Sequence, residues 1–479
     1  MLRNKDIISS RNYLFLNVFI VFVPIVLYPL ITDNISTVKY GNYIFLQSIA
    51  FLFVGLSNFG CLVGYKRNFF IYKNNKKKSQ TLLVSIELFI FIIFSFLFLT
   101  NFFLNNYIFE KINKSSDEYN YWLFLLSAIM LDFFNKYYLT YLVNKEESKK
   151  YSYLIFFKFF IYLVIAATLI LNGNKILALV YALFISNLAL FLLIIILQLR
   201  SFKFEINLDY IKEILKISYP LIFRILLGQI NTKLDKILIT LISTVSSTAI
   251  YTIAQSIAYF IFQLMTALDK VFVTGINKML FRKKNRNIGK YLTPFFFISG
   301  IPVVFLILFH DVIFRMFINK DYYGSDNVVI ILSIYYFSLF FSKVSGTQLV
   351  YFKKTWLAGN IFLVNVFLNF IFGIPLILQM GIEGAALSTL FSSIISISMQ
   401  YYFANKYVPF KYEFNKFLFV SLYVLIISSY QFLIVNSYLN MNIYLELFIS
   451  TLLTIIYFVI GYKFNIFNKG TLTKFFNLK

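Results

Sequence analysis

Long apolar segments follow one another along almost the whole 479-residue chain, and only short polar loops separate them. A helix needs about 20 apolar residues to cross the hydrocarbon core of a bilayer, because it rises by about 1.5 Å per residue. Fourteen such segments can be counted, and the longest gaps between them are about 17 residues. Gaps of this size cannot hold a folded soluble domain. We therefore predict an all-α polytopic membrane protein with about 14 transmembrane helices.

Composition supports this class. Apolar residues make up 60% of the chain and charged residues 13%, whereas soluble domains have about a quarter charged residues. The predicted spans are 12–32, 42–65, 81–104, 121–143, 151–171, 176–199, 217–241, 249–273, 291–312, 327–352, 356–379, 383–404, 417–436 and 443–462.

Lysine and arginine are distributed very unevenly between the two sets of loops. If the N-terminus is cytoplasmic, the cytoplasmic segments carry 31 of these residues and the opposite loops carry 6. Positive charge favours the cytoplasmic side of a membrane. We therefore expect both termini in the cytoplasm. The net charge of +24 comes from these scattered loops, which predicts contact with anionic membrane lipids and not with nucleic acid.

An internal repeat is visible. Y-I-F-L-Q-S-I-A at Tyr43–Ala50 and Y-T-I-A-Q-S-I-A at Tyr251–Ala258 lie 208 residues apart, and each begins the second span of a set of six. Because six is even, the two six-helix bundles have the same orientation and form a parallel repeat, followed by two C-terminal helices. The predicted domains are an N-lobe (1–200), a cytoplasmic connector (201–216), a C-lobe (217–405) and the last two helices with a tail (406–479).

The seventh predicted span carries charges that are costly in a membrane. At 100° per residue, Arg224, Asn231 and Asp235 fall within about 40° of one another, which predicts a polar stripe on one side of the helix. Lys236 belongs to the same span. Lys233 points to the opposite side. Its role there is in packing or topology, or in lining a cavity. The stripe would face the crevice between the two lobes.

Other spans also contain charged residues. Asp132 and Lys136 in the fourth span have i,i+4 spacing, and we favour a structural ion pair over a binding role. For Lys158 and Glu87, a cavity role and a position near the membrane surface are equally good interpretations, since Lys158 lies within snorkelling distance of that surface.

The remaining candidates lie in the second half of the chain. Lys270 is near the cytoplasmic end of its span, where snorkelling explains it, and Lys343 is an even choice between a cavity and a structural role. His310 is interpreted as an interface histidine, with proton coupling as the alternative. Because Cys61 is the only cysteine and no His/Cys/Glu cluster or Walker A motif is present, we expect no catalytic residue, metal site or cofactor.

Several short motifs together resemble one family. They are Y-G-N-Y (Tyr40–Tyr43), L-S-N-F-G (Leu56–Gly60), S-Y-P-L (Ser218–Leu221), N-T-K-L-D-K-I-L-I (Asn231–Ile239), Y-T-I-A-Q-S (Tyr251–Ser256) and G-I-E-G-A-A-L-S-T-L (Gly381–Leu390). With these motifs the chain resembles polysaccharide flippases of the Wzx type, the O-antigen and capsule repeat-unit translocases. They belong to the multidrug/oligosaccharidyl-lipid/polysaccharide exporter superfamily.

The resemblance implies a flippase of the bacterial cytoplasmic (inner) membrane that works by alternating access between two six-helix bundles. It would move undecaprenyl-pyrophosphate-linked oligosaccharide repeat units to the outer leaflet, beside a polysaccharide polymerase and a chain-length regulator, with an H⁺ or Na⁺ gradient as the driving force. It also implies a cationic cavity for the pyrophosphate. Arg224 is the leading candidate cation, with help from Lys136, Lys158, Lys233, Lys236, Lys270 or Lys343. The candidates for the polar cavity or for coupling are Asn231, Asp235, Asp132 and Glu87.

Two alternatives belong to other functional classes. A drug/cation antiporter of the same superfamily predicts an acidic cavity, but the spans carry seven cations against about four clear acids. A membrane polysaccharide polymerase or glycosyltransferase predicts a sizeable outer loop with catalytic groups, and the outer loops here are short.

Overall fold

The computed structural model describes residues 4–111, 116–202, 205–219, 222–281, 288–436, 442–464 and 466. In this part of the chain the structure is helical apart from short turns, and it contains no β-strand. A helix satisfies its own backbone donors and acceptors, which the hydrocarbon of a bilayer cannot do. The all-α prediction is therefore confirmed, and the chain is a multi-pass membrane protein.

The helices are α1 (Asn4–Asn34), α2 (Thr37–Ser57), α3 (Cys61–Tyr72), α4 (Lys76–Lys111), α5 (Ser116–Asn144), α6 (Ser148–Leu171), α7 (Lys175–Ser201), α8 (Leu208–Ser218), α9 (Ile222–Ile242), α10 (Val245–Phe281), α11 (Ile288–Phe317), α12 (Asp326–Tyr351), α13 (Thr355–Tyr407), α14 (Phe414–Val435) and α15 (Ile443–Lys463). A short 3-10 helix, Lys320–Tyr322, lies between α11 and α12.

Among the described residues, ten helices are long and apolar enough to cross a membrane. The predicted count of 14 is larger because α1, α5 and α9 are not among the ten and because α13 is a single element. Internal charges lower the apolar character of α9, which includes Lys233, Asp235 and Lys236. The exact number of spans stays a prediction.

The second predicted span, 42–65, is too long at its end. α2 ends at Ser57, and α3 begins at Cys61 after a turn in which Phe59 and Gly60 have φ values of 47° and 65°. This left-handed conformation favours glycine, so the L-S-N-F-G motif marks a turn and not a continuous helix. The side chain of Asn58 in this turn accepts a 2.5 Å hydrogen bond from the hydroxyl of Tyr137 on α5.

The chain reverses inside α13, as the closely spaced spans 356–379 and 383–404 predicted. Gly381 has φ 57° and ψ −127°, and the hydroxyl of Ser388 donates a 2.9 Å hydrogen bond to Oδ1 of Asn369. In a straight helix, residues 19 positions apart would be separated by about 28 Å. The two arms, 355–380 and 382–407, are therefore antiparallel. Gly384 is required here, because a Cβ atom on it would lie 2.0 Å from the carbonyl oxygen of Leu376.

Backbone contacts divide the chain into two compact units. The N-terminal unit is Phe22–Ile237, and the C-terminal unit is Met1–Val21 together with Leu238–Lys479. Both division points fall inside helices, α1 and α9. The lobe boundaries expected from the sequence stay a prediction.

The two units use the same packing pattern. In the N-terminal unit α5 packs against α2, α4 and α7, and in the C-terminal unit α12 packs against α10, α11 and α13. These are corresponding helices of the two predicted sets of six, so the pattern agrees with a parallel repeat.

The last two helices belong to the C-terminal unit and pack on α11. Tyr457 of α15 stacks on Phe297 of α11 with ring centroids 4.4 Å apart, and its hydroxyl donates a 2.8 Å hydrogen bond to the carbonyl oxygen of the same residue. Gly300, one turn further along α11, leaves room for the tyrosine hydroxyl. α15 is thus held against α11 near the middle of both helices.

Candidate functional site

α9 closely approaches α2 and the turn that follows it, at one glycine in each. A Cβ atom on Gly55 would lie 1.9 Å from Oε1 of Gln229, and a Cβ atom on Gly60 would lie 2.5 Å from Cδ1 of Ile225. Ile225 and Gln229 are four residues apart and so lie on the same side of α9. This side, and not the predicted polar stripe, therefore faces α2.

Lys233 is the next residue of the same column, one turn beyond Gln229. Its Nζ atom lies 5.1 Å from the ring centroid of Phe51, which is one turn from Gly55 on α2. The Nζ atom of Lys136 on α5 lies 5.9 Å from the same centroid. Two ammonium groups from different helices thus meet one aromatic ring, an arrangement in which each gains a cation–π interaction.

Asp132 joins two of the lysines. Its Oδ2 atom lies 2.7 Å from Nζ of Lys136, and its Oδ1 atom lies 2.5 Å from Nζ of Lys158 on α6. The side chain of Lys158 is 13% exposed and that of Lys136 is 38% exposed. The predicted i,i+4 pair is present, and the structure adds a second lysine from a helix that the spacing could not connect to it.

Lys136, Lys158 and Lys233, together with Asp132 and Phe51, form the lysine cluster of the N-terminal unit. Three ammonium groups face one carboxylate, and in the described part of the chain no carboxylate forms an ion pair with Lys233. Lys136 is close enough to Lys233 to act on it electrostatically. A charge at the centre of a membrane helix costs about 3 kcal/mol, so a surplus of positive charge at this place indicates a function.

The predicted stripe on α9 is only partly described. Asp235 is 8% exposed and makes further polar or electrostatic contacts, and it acts electrostatically on the neighbouring Lys236. The Oδ1 atom of Asn231 is buried without a hydrogen-bond partner in the described structure. The side chain of Arg224 lies outside the described residues. Lys233, which the helical wheel placed opposite the stripe, is the α9 cation that reaches the lysine cluster.

The C-terminal unit has a smaller arrangement of the same kind. Nζ of Lys343 on α12 lies 3.3 Å from Oδ2 of Asp269 on α10 and 5.8 Å from the ring centroid of Phe262. Phe262 in turn packs on Tyr259, with ring centroids 5.2 Å apart. The side chain of Lys270, the next residue after Asp269, lies outside the described residues.

The repeat relates these two arrangements. Phe51 and Tyr259 are separated by the repeat offset of 208 residues, and Lys136 and Lys343 are separated by 207. Each unit therefore places a lysine of the fourth span of its set (α5 or α12) near aromatic rings of the second span (α2 or α10). Phe51 was not among the residues predicted from the sequence, and neither was this correspondence. The repeat offset, which pairs Phe51 with Tyr259, is the sequence signal that points to this ring.

Glu87 is not part of the lysine cluster. It is 5% exposed, and both of its carboxylate oxygens accept hydrogen bonds from Nε2 of Gln198 on α7, at 3.0 and 2.9 Å. The described residues contain no ion pair of Glu87 with a lysine or arginine. They also contain no group of three His, Cys, Asp or Glu side chains that could hold a metal ion.

The chain is similar in sequence to known proteins of polysaccharide biosynthesis. The family model described as polysaccharide biosynthesis protein matches residues 10–268. The capsular polysaccharide biosynthesis protein CapF of Staphylococcus aureus is 25% identical over 207 residues, which are 42% of this chain and 52% of CapF. The match thus spans about half the length of this curated relative.

Solved structures share the fold. The lipid II flippase MurJ in an inward closed conformation superposes with a TM-score of 0.73 at 18% identity, over 96% of this chain and 100% of that one. A mutant of the MATE transporter VcmN of Vibrio cholerae gives 0.59 at 14% identity, over 84% and 96% of the two chains. A MOP superfamily transporter of Pyrococcus furiosus gives 0.59 at 13%, over 84% and 95%. The chain thus shares the fold of these flippase and transporter structures.

Proposed function

Because the chain belongs to the polysaccharide biosynthesis protein family, we propose that it is a flippase for undecaprenyl-pyrophosphate-linked oligosaccharide repeat units. It would move them from the inner to the outer leaflet of a bacterial cytoplasmic membrane, for capsule or O-antigen synthesis. The observation that carries this proposal is the lysine cluster, in which three lysines lie close together with one aspartate, which pairs with two of them. A pyrophosphate group supplies the negative charge that this site is short of.

The chemistry of the cluster suits a phosphate group. Lysine binds phosphate as a compact charge with three donors, and the lysines here come from α5, α6 and α9. Asp132 keeps the ammonium groups of Lys136 and Lys158 together, which offsets their mutual repulsion. Lys233 has no such carboxylate partner among the described residues and is therefore the cation that we expect to contact the substrate most directly.

The sign of the charge disfavours the antiporter alternative. A site for cationic drugs needs surplus negative charge, because it must offset the positive charge of its ligand inside the membrane. The lysine cluster has the opposite balance, and in the C-terminal unit Lys343 and Asp269 neutralise one another.

The proposal also includes the membrane topology, the driving force and the partners of the protein. The distribution of lysine and arginine supports cytoplasmic termini in the cytoplasmic membrane. We propose alternating access driven by an H⁺ or Na⁺ gradient, with Asp235, Asp132 and Glu87 as candidate coupling groups. A polysaccharide polymerase and a chain-length regulator would act on the product, while membrane lipids surround the protein.

The proposal is tested in cells by replacing Lys233 with glutamine. We expect surface polysaccharide to fall at least tenfold and lipid-linked repeat units to accumulate, while the amount of protein in the membrane stays normal. Lys149→Gln is the matched control, since it removes the same charge from an exposed position in the first turn of α6. Normal surface polysaccharide in the Lys233→Gln strain would exclude the role assigned to this lysine.

A further inference from the structure

His310, the only histidine of the chain, is buried near the end of α11. It is 1% exposed, and its Nδ1 atom lies 2.8 Å from the carbonyl oxygen of Ile307. A carbonyl oxygen can only accept a hydrogen bond, so Nδ1 must carry the proton. In the neutral ring the other nitrogen, Nε2, is then an acceptor.

In this tautomer, Nε2 faces an atom with which it cannot form a hydrogen bond. Nε2 lies 3.6 Å from Oδ1 of Asp326 at the start of α12, and it has no hydrogen-bond partner in the described structure. A neutral Nε2 and a carboxylate oxygen are both acceptors and cannot bond. A proton on Nε2 makes this contact an attractive ion pair between the ring and the carboxylate. The two facing acceptors are thus reconciled when the pair takes up one proton.

Charged groups on several helices lie around the ring. On α11 itself, Asp311 accepts a 2.8 Å hydrogen bond from Nε of Arg315, so these two charges offset one another. Asp326 on α12 and Glu446 on α15 are the carboxylates that remain, and Glu446 interacts electrostatically with His310. Gln431, the polar residue of α14 at this level, lies beside Glu446 and is fully buried.

The other neighbouring helices do not add a competing cation. α10 also packs on α11, but it has no charged residue before Asp269, which lies toward its other end. On α13, Glu383 accepts a 2.8 Å hydrogen bond from Asn327, the residue that follows Asp326. The nearest groups therefore leave an excess of negative charge around His310.

The two side chains differ in exposure. That of Asp326 is 23% exposed and that of His310 is 1% exposed, so Asp326 is the more accessible member of the pair. In the orientation proposed above, α11 ends and α12 begins at the outer face of the membrane. A proton would pass from outer water along Asp326 to the lone pair of Nε2.

We propose that His310, with Asp326 and Glu446, is the binding site for a proton that enters from the outer face and drives transport. This inference rests on the proposed function and assigns its coupling ion and the place where that ion binds. It also gives α14 and α15 a role, because they pack on α11 and one of them supplies Glu446. Protonation adds one N–H bond to the ring and requires no other reactant.

Because the chain has a single histidine, protonation can be observed directly. The full chain, purified without a histidine tag and labelled with ¹⁵N-histidine, would be placed in lipid nanodiscs and followed by NMR between about pH 5 and 8. We expect one pair of ring signals, in which the Nε2 signal reports the uptake of a proton as the pH is lowered. Adding undecaprenyl pyrophosphate as the probe should shift the pH of this change. An Nε2 signal that stays constant over the whole range would overturn the proposal.

Transport of the same probe in liposomes separates coupling from a purely structural role. We expect wild-type transport to rise several-fold when the outer pH is lowered by about two units, and His310→Gln to lose this dependence while still binding the probe. Asp326→Asn keeps the buried ring and should weaken the response. Asp321→Asn is the matched control, since this aspartate is exposed in the same connection between α11 and α12.

The outcomes are distinguishable. If wild-type transport follows sodium and not pH, or if His310→Gln keeps the wild-type pH response, the proton site is refuted and the flippase proposal stands. If no variant, including wild type, transports undecaprenyl-pyrophosphate-linked oligosaccharide, the proposed function fails, and the NMR titration still decides whether the ring binds a proton.

Discussion

Asp132 should be coupled more strongly to Lys158 than to Lys136. Both ion pairs are short, at 2.5 and 2.7 Å, but the side chain of Lys158 is 13% exposed and that of Lys136 is 38% exposed. Removing one partner of a buried pair costs about 3–5 kcal/mol, whereas an exposed pair contributes about 0.2–1 kcal/mol. We therefore expect a coupling energy of about 2–4 kcal/mol for Asp132 with Lys158 and about 0.5–1 kcal/mol for Asp132 with Lys136.

Two double-mutant cycles measure these energies. One combines Asp132→Asn with Lys158→Met, and the other combines Asp132→Asn with Lys136→Met. The measured quantity is the free energy of unfolding in mixed lipid–detergent micelles, and each coupling energy is the part of the double-mutant effect that the single effects do not explain. Equal coupling energies in the two cycles, or an Asp132→Asn variant as stable as wild type, would refute the reasoning from burial.

Two further predictions concern stability. Gly384→Ala should destabilise the protein by about 3 kcal/mol, because the added Cβ atom would meet backbone on the other arm of α13. Gly346→Ala should stabilise it by up to about 1 kcal/mol, because open space surrounds Gly346 and alanine favours a helix. Thermal unfolding of both variants checks the difference. Partial burial would raise the pKa of Glu413, but hydrogen bonds from Thr293 and Lys416 outweigh it and lower this pKa. The carboxylate therefore stabilises the fold above its unfolded-state value of about 4.3 and loses this effect as the pH falls through the lowered folded value. Glu413→Gln should cost about 1 kcal/mol at pH 7 and little at pH 3, and the same cost at both pH values would contradict this.

Most of the fold could be predicted because a segment that crosses a membrane must satisfy its own backbone hydrogen bonds, as a helix does. Apolar segments of span length predicted helices, and the close spacing of spans 356–379 and 383–404 predicted a tight pair that the reversal in α13 confirms. The turn after Ser57 could not be predicted from hydropathy, since α3 continues the apolar character of α2. There the left-handed Phe59 and Gly60 decide the structure, and only the glycine in L-S-N-F-G indicates them.

The candidate site could be predicted less well, because sequence spacing reports only on one helix at a time. It identified the i,i+4 pair of Asp132 and Lys136, but the contact of Lys158 joins residues 26 positions apart. The helical wheel correctly separated Lys233 from Asn231 and Asp235. It could not show which side of α9 meets α2, since that depends on the space that Gly55 leaves for Gln229.

The contact between His310 and Asp326 is a second contact between helices that sequence spacing could not predict. The carboxylate next to His310 in the sequence is Asp311, which pairs with Arg315 in the structure. The carboxylate that faces the ring comes from the next helix, and only the path of the chain between α11 and α12 brings it there.

The central claim, that the lysine cluster binds the pyrophosphate during translocation, is tested most directly in liposomes. The purified full chain would be reconstituted with undecaprenyl-pyrophosphate-linked oligosaccharide, and the fraction of this lipid that becomes accessible in the opposite leaflet would be measured over time. We predict that a variant with glutamine at Lys136, Lys158 and Lys233 translocates at least tenfold more slowly than wild type, while Lys149→Gln keeps the wild-type rate. Translocation by the triple variant at the wild-type rate would contradict the account.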